Sequence, residues 1–85
     1  MFFVYIAYQP EKGKYITGVT NSIKRRKCLL QQMHNGPVRI VYYEEYADSA
    51  EADKREDELL EMNDELLREL VTQNNPMHTD ILTFK

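Results

Sequence analysis

Two charged stretches stand out as places where this chain could do chemistry. The first is Lys24-Arg25-Arg26-Lys27, four cations in a row. Cations grouped in this way attract phosphates, and a guanidinium offers a planar fork matched to phosphate oxygens. The second runs from Glu44 to Glu69 and holds twelve acids against Lys54, Arg55 and Arg68. Carboxylates at that density repel phosphate unless they face away from it or hold a metal ion. Residues 1–43 hold seven Lys or Arg against Glu11 alone, so the net charge of −3 conceals a basic half joined to an acidic half. Each of these residues also has a plainer reading as solvated surface charge. Cys28 is the single cysteine; it can form no disulfide within the chain, and nothing has zinc-ligand spacing.

Eighty-five residues make one domain with a thin core. An apolar share of 42% and a charged share of 29% exclude a disordered or fibrous chain. The unpaired thiol fits a reducing compartment, and the expected location is cytoplasmic. The opening Phe2 to Tyr8 is apolar but far too short to span a bilayer. It reads as a buried strand with no leader pattern, and no membrane partner is expected.

The elements that must position the charges follow from local pattern. Phe2–Tyr8 is β-branched and aromatic, and Gln9-Pro10-Glu11-Lys12-Gly13 is a turn leading to a second strand over Lys14–Val19. Thr20-Asn21-Ser22 offers helix-capping oxygens. Ile23, Leu30 and Met33 then recur at helical spacing until Gly36-Pro37 stops the helix. Four successive cations on a helix cannot all face outward, and Arg26, three residues after Ile23, lies near the sheet side. Val38–Tyr43 is the third strand. Asp48-Ser49 with Glu51 starts an acidic helix; its apolar stripe of Ala52, Leu59, Met62, Leu66, Leu67 and Leu70 is broken near Asn63, which predicts two helices. The expected fold is α/β: a small, mainly three-stranded antiparallel sheet packed by helices in the order β-β-α-β-α-α. The domain spans 1–76, and 77–85 form an irregular tail.

Three passages in this order resemble the GIY-YIG nuclease family, in particular its small stand-alone members. The first strand carries Phe3-Val4-Tyr5. The second strand and turn read Tyr15-Ile16-Thr17-Gly18-Val19-Thr20-Asn21-Ser22-Ile23-Lys24-Arg25-Arg26. The third passage is Val38 to Tyr46 followed by Ser49-Ala50-Glu51-Ala52-Asp53-Lys54-Arg55-Glu56. The resemblance covers about residues 2–76. It implies metal-dependent hydrolysis of DNA phosphodiester bonds. Tyr5 would help activate water, Tyr15 would be its nearest substitute for a second tyrosine, Arg26 would steady the phosphate, and Glu56 would hold Mg²⁺ or Mn²⁺. One carboxylate completed by waters and a phosphate oxygen suits Mg²⁺. Asp53 and Glu58 compete with Glu56 for that role. The implied partner is DNA, bound weakly because the chain as a whole is acidic.

Three departures qualify this picture. The family's second tripeptide has Tyr two residues before Gly; that place here is Ile16, and Tyr15 next door falls on the opposite strand face unless a bulge intervenes. The His often found one turn after the helix Arg is Leu30. His34 follows a turn later, where a helix-end role favoured by the dipole is the simpler reading. Only Asn35-Gly36-Pro37 remains of a loop that is basic and glycine-rich in many small members. The alternative expectation is therefore a catalytically degenerate domain that serves as a protein-interaction or homodimerisation module, and a third is a binder of nucleic acid through Lys24–Lys27 without cleavage.

Overall fold

A computed structural model describes residues 1–83. Three strands, β1 (Phe2–Gln9), β2 (Lys14–Thr20) and β3 (Arg39–Tyr46), and three helices, α1 (Ile23–His34), α2 (Ser49–Leu60) and α3 (Asp64–Asn74), follow one another as β1-β2-α1-β3-α2-α3, and a 3-10 turn follows at Ile81–Thr83. The element order is the one expected. The sheet is antiparallel with strand order β2-β1-β3. No helix among the described residues is long and apolar enough to cross a membrane.

Local chemistry explains each boundary. The β1–β2 hairpin closes through the Gln9 carbonyl, which accepts from Lys12 and Gly13 amides at 3.1 and 2.8 Å. Gly13 takes the φ of +64° that ends the turn. Ser22, Asp48 and Asn63 are the three N-caps, each accepting from a first-turn amide through its side chain. Asn35, at φ 51°, ends α1 in the left-handed conformation that Asn tolerates.

Strand alternation sorts the core into two clusters, one on each face of the sheet. Val4, Ile6 and Val41 meet Ala52 and Leu59 of α2 and Leu67 and Val71 of α3. Tyr5, Ala7 and Ile40 meet Ile23 and Leu30 of α1, with Ile81 and Leu82 packed against them. The β1–β2 register runs without interruption from Phe3↔Thr20 to Gln9↔Lys14. The one irregularity lies between β1 and β3, where Ile6 pairs with Tyr42 but Ala7 with Ile40. The extra residue lets Val41 and Tyr42 both join the α2/α3 face.

Two sequence expectations are corrected. Met33 does not belong to the buried face of α1; it is 66% exposed, and Ile23 and Leu30 alone of that trio are buried. Leu66 is likewise exposed, and Val71 takes its place in the core. Most of the apolar stripe of α2 and α3 is thus covered by the sheet, leaving Leu66 outside.

The tail is irregular but integrated, as far as it is described; positions 84 and 85 lie outside the described residues. The Asn75 amide group donates to the carbonyls of Val41 and Thr79 at 3.1 and 2.8 Å. His78 meets Tyr8 and Tyr15, and Asp80 pairs with Lys27 of α1. The chain thereby passes from the α3 side of the sheet to the α1 side.

Charge is sorted by the same two faces. α1 carries four cations and no acid, whereas α2 and α3 carry eight acids and three cations. The acids of α2 and α3 therefore lie across the sheet from the basic run.

Candidate functional site

Tyr5 and Arg26 are brought together on the α1 face. Arg26 Nη1 donates to the Tyr5 hydroxyl at 3.3 Å, and the guanidinium carbon lies 5.9 Å from the ring centroid. The contact requires Gly18. Tyr5 pairs with Gly18 across the β1–β2 ladder, and a Cβ at that position would stand 2.5 Å from the Tyr5 hydroxyl oxygen and 2.8 Å from its Cζ. The phenol thus lies over the glycine and reaches towards α1. It is 1% exposed, whereas Arg26 is half-buried.

Beside this pair a hollow of about 320 Å³ opens, lined by Thr20, Asn21, Ser22, Arg25, Arg26 and Leu29. It lies where β2 runs into α1. The Thr20 hydroxyl and the Ser22 backbone exchange hydrogen bonds of 3.1 Å, which fixes the turn. The first turn of α1 carries no acid, so nothing there neutralises Arg25 and Arg26. An oxyanion in the hollow would face two guanidiniums and the positive end of a helix.

Tyr15 is not part of this arrangement. With no bulge in the β1–β2 ladder it stays on the α2/α3 face. Its hydroxyl is joined to His78 Nε2 at 2.7 Å, and its ring packs 5.0 Å from that of Tyr8. Burial, the largest influence, raises its phenol above the ordinary value. Ile16, in the place that the resemblance gives to tyrosine, packs against the cluster beneath α1.

Glu56 belongs to α2, and α2 packs through Ala52 and Leu59 on the face opposite Tyr5 and Arg26. It does not line the hollow. Its neighbours define its direction. Successive helix residues are about 100° apart, so Arg55 and Glu56 flank the Ala52–Leu59 stripe on opposite sides. Arg55 reaches Glu44 on β3; Glu56 therefore leans away from β3, towards the β2 side of the sheet. It is half-buried and makes no hydrogen bond or ion pair among the described residues. Among the described residues no group of three or more His, Cys, Asp or Glu gathers to form a cage. His34, at the C-terminal end of α1, likewise lies outside the lining of the hollow.

The sequence reading missed a polar cluster on the α2 face. Glu44 accepts from the hydroxyls of Tyr42 and Tyr46 and from Arg55 Nε and Nη2 at 3.0 to 3.2 Å. Arg55 also donates to Glu58 at 2.9 Å. Burial pushes the Glu44 carboxyl up, but the bonds from Tyr42, Tyr46 and Arg55 outweigh it and hold the group below the usual carboxylate range. The Tyr42 phenol is pushed up to about 12, by burial first and then by Glu44. The alternation Tyr42-Glu44-Tyr46 was the available signal, since residues two apart share a strand face. An adjoining hollow of about 260 Å³ is lined by Tyr46, Glu51, Lys54, Arg55 and Glu58. Its mixed charges are already paired in part, and they suit structure better than anion binding.

Comparison with known proteins adds no relative: no family model, no curated protein and no solved structure matches this chain.

Proposed function

We propose that this domain acts on nucleic-acid phosphodiesters as a GIY-YIG-type, metal-dependent endonuclease of weakened activity, approached from the α1 face. The observation that carries this reading is the Arg26–Tyr5 contact beside an open hollow that also presents Arg25. Arg26 steadies the phosphate, and Tyr5, too buried to meet bulk water, holds the guanidinium in place. Glu56, the residue that the resemblance assigns to Mg²⁺ or Mn²⁺, lies on α2 across the sheet from Arg26; an ion held there would supply charge stabilisation and an acidified water only to a phosphate reached round the β2 edge. The net acidity of the chain is no obstacle, because the acids of α2 and α3 lie across the sheet.

The second reading is a domain that keeps the fold, and binds nucleic acid or a protein partner, without the reaction. It is favoured by the placement of α2 opposite Tyr5 and by Ile16 in place of a tyrosine. Nicking of supercoiled plasmid with Mg²⁺ or Mn²⁺ separates the two. The nuclease reading expects metal-dependent nicking that Glu56→Ala abolishes. Cleavage unaffected by Glu56→Ala removes Glu56 from the site, and absence of cleavage with either ion leaves the second reading.

A further inference from the structure

We propose that Tyr43, braced by Phe3, is a stacking platform for an unpaired base, so that the nucleic acid recognised is single-stranded or locally unpaired. This rests on the reading of the α1 face as a nucleic-acid surface.

Tyr43 pairs with Tyr5 across β1 and β3 and therefore stands on the α1 face. Unlike Tyr5 it is 41% exposed. The Phe3 ring meets it edge to face, with centroids 5.8 Å apart and planes at 75°. Phe3 in turn pairs with Thr20, which lines the basic hollow. The face thus runs from cations at the β2 edge, through Phe3 on the central strand, to an open phenol ring on β3. Two strand spacings separate the ends, about 10 Å, which a phosphate and the base of a neighbouring nucleotide in an extended strand can span.

Charge sets the direction of such a strand. Glu45, exposed and paired with Phe3, stands on the same face next to the aromatic pair. A carboxylate there disfavours phosphate, whereas Arg25 and Arg26 attract it. The backbone therefore lies on the β2 side and the base on the β3 side. Bases of an intact duplex are already stacked on one another, so only an unpaired base can use the Tyr43 ring.

The test uses a labelled single-stranded DNA oligonucleotide carrying 2-aminopurine, and its duplex, titrated with the wild-type protein and with Tyr43→Ala, Tyr43→Phe and Arg26→Ala. The expected result is tighter binding of the single strand, with 2-aminopurine fluorescence quenched on binding. Tyr43→Ala loses the quenching and about tenfold in single-strand affinity, while duplex affinity is unchanged; Tyr43→Phe keeps both. Arg26→Ala weakens both nucleic acids. If Tyr43→Ala binds and quenches like wild type while Arg26→Ala is weakened, the stacking platform is overturned and the phosphate site survives. If neither nucleic acid binds the wild-type protein, both readings are overturned.

Discussion

The hydroxyl of Tyr5 occupies the space that any side chain at position 18 would need. A Cβ added to Gly18 would stand 2.5 Å from that oxygen and 3.0 Å from Cε2 of the same ring. The ring cannot swing aside freely, because Tyr5 is enclosed between the sheet and α1. Gly18→Ala is therefore expected to destabilise the fold by about 1–3 kcal/mol, the usual cost of overpacking a core, measured by urea unfolding. Tyr5→Phe removes the hydroxyl but leaves Cζ 2.8 Å from the new methyl. The double variant should thus remain destabilised relative to Tyr5→Phe alone. A Gly18→Ala protein as stable as wild type would mean that Tyr5 does not lie over this glycine.

Much of this frame could be read from local chemistry. Ser22, Asp48 and Asn63 cap their helices as their side chains suggest, because an N-cap concerns only amides two or three residues away. The phase of β2 was legible as well: Ile16 and Tyr15 point to opposite faces, and with no bulge in that ladder they remain so. The side of the sheet taken by each helix was not legible. β2 and β3 are both antiparallel to β1, hence parallel to each other, and α1 crosses between them over one face. That leaves the other face to α2 and α3, and so carries Glu56 away from Arg26. No spacing within α2 records this, since it is decided by strand order. The packing of the tail was hidden for a related reason. His78 and Asp80 find partners 63 and 53 residues away, and short-range pattern does not reach so far.

The tail contacts give a stability prediction. Ile81 and Leu82 pack half-buried beneath α1, Asp80 pairs with Lys27, and His78 covers Tyr8 and Tyr15. Truncation after Asn75 would uncover all of these groups. Burial of two aliphatic side chains to this extent contributes roughly 2–3 kcal/mol, so the truncated chain should unfold at clearly lower urea. An Asp80→Asn variant, which removes the charge that Lys27 meets but keeps an acceptor for the Leu82 amide, should lower the midpoint by less than the truncation does. A truncated chain with an unchanged midpoint would show that the tail does not pack in solution.

Glu44 links stability to acid pH. Its folded-state carboxyl lies below the usual range because Tyr42, Tyr46 and Arg55 all donate to the charged form. The contribution of the cluster is therefore present above the unfolded-state value and is lost as pH falls through the depressed folded-state value. Glu44→Gln keeps the size but removes the charge. It should cost on the order of 2 kcal/mol at pH 7, as loss of hydrogen bonds to a charged group does, and flatten the acid limb of the stability curve. Urea midpoints from pH 7 down to pH 3 check both. Parallel acid limbs for the two proteins would remove Glu44 from the linkage.

The same cluster acts at alkaline pH with the opposite sign. Tyr42 is raised to about 12, and Tyr46 is raised by its bond to Glu44. A phenol raised on folding favours the folded state below its unfolded-state value of about 10. That contribution fades as pH climbs from about 10 towards 12. Ultraviolet titration of the tyrosines should show a late phase near pH 12. In Glu44→Gln the phase should move to lower pH, since a phenolate at Tyr42 no longer faces a carboxylate. A late phase that stays in place in this variant would assign the shift to burial alone.

On the proposed reading, segregation of charge to the two faces makes the α1 face the one that meets nucleic acid. Each phosphate neutralised by a cation contributes about 0.9 to the slope of log affinity against log salt on duplex DNA. Arg25, exposed at the rim of the hollow, should account for about one such contact. Arg25→Glu is expected to weaken duplex binding at least tenfold at low salt and to lower the slope by about one. Glu69, exposed on α3 across the sheet, provides the matched control. Glu69→Lys makes the same change of two charges in the opposite sense, on the face opposite the proposed phosphate site. Simple net-charge attraction would have this variant gain about as much affinity as Arg25→Glu loses, because long-range fields depend little on position. Docking on the α1 face requires instead that Glu69→Lys leave the affinity within about twofold at 150 mM salt, where the Debye length is about 8 Å and the sheet separates the two helices. Equal and opposite changes at the two positions would refute a localised site and reduce the basic run to a source of diffuse attraction.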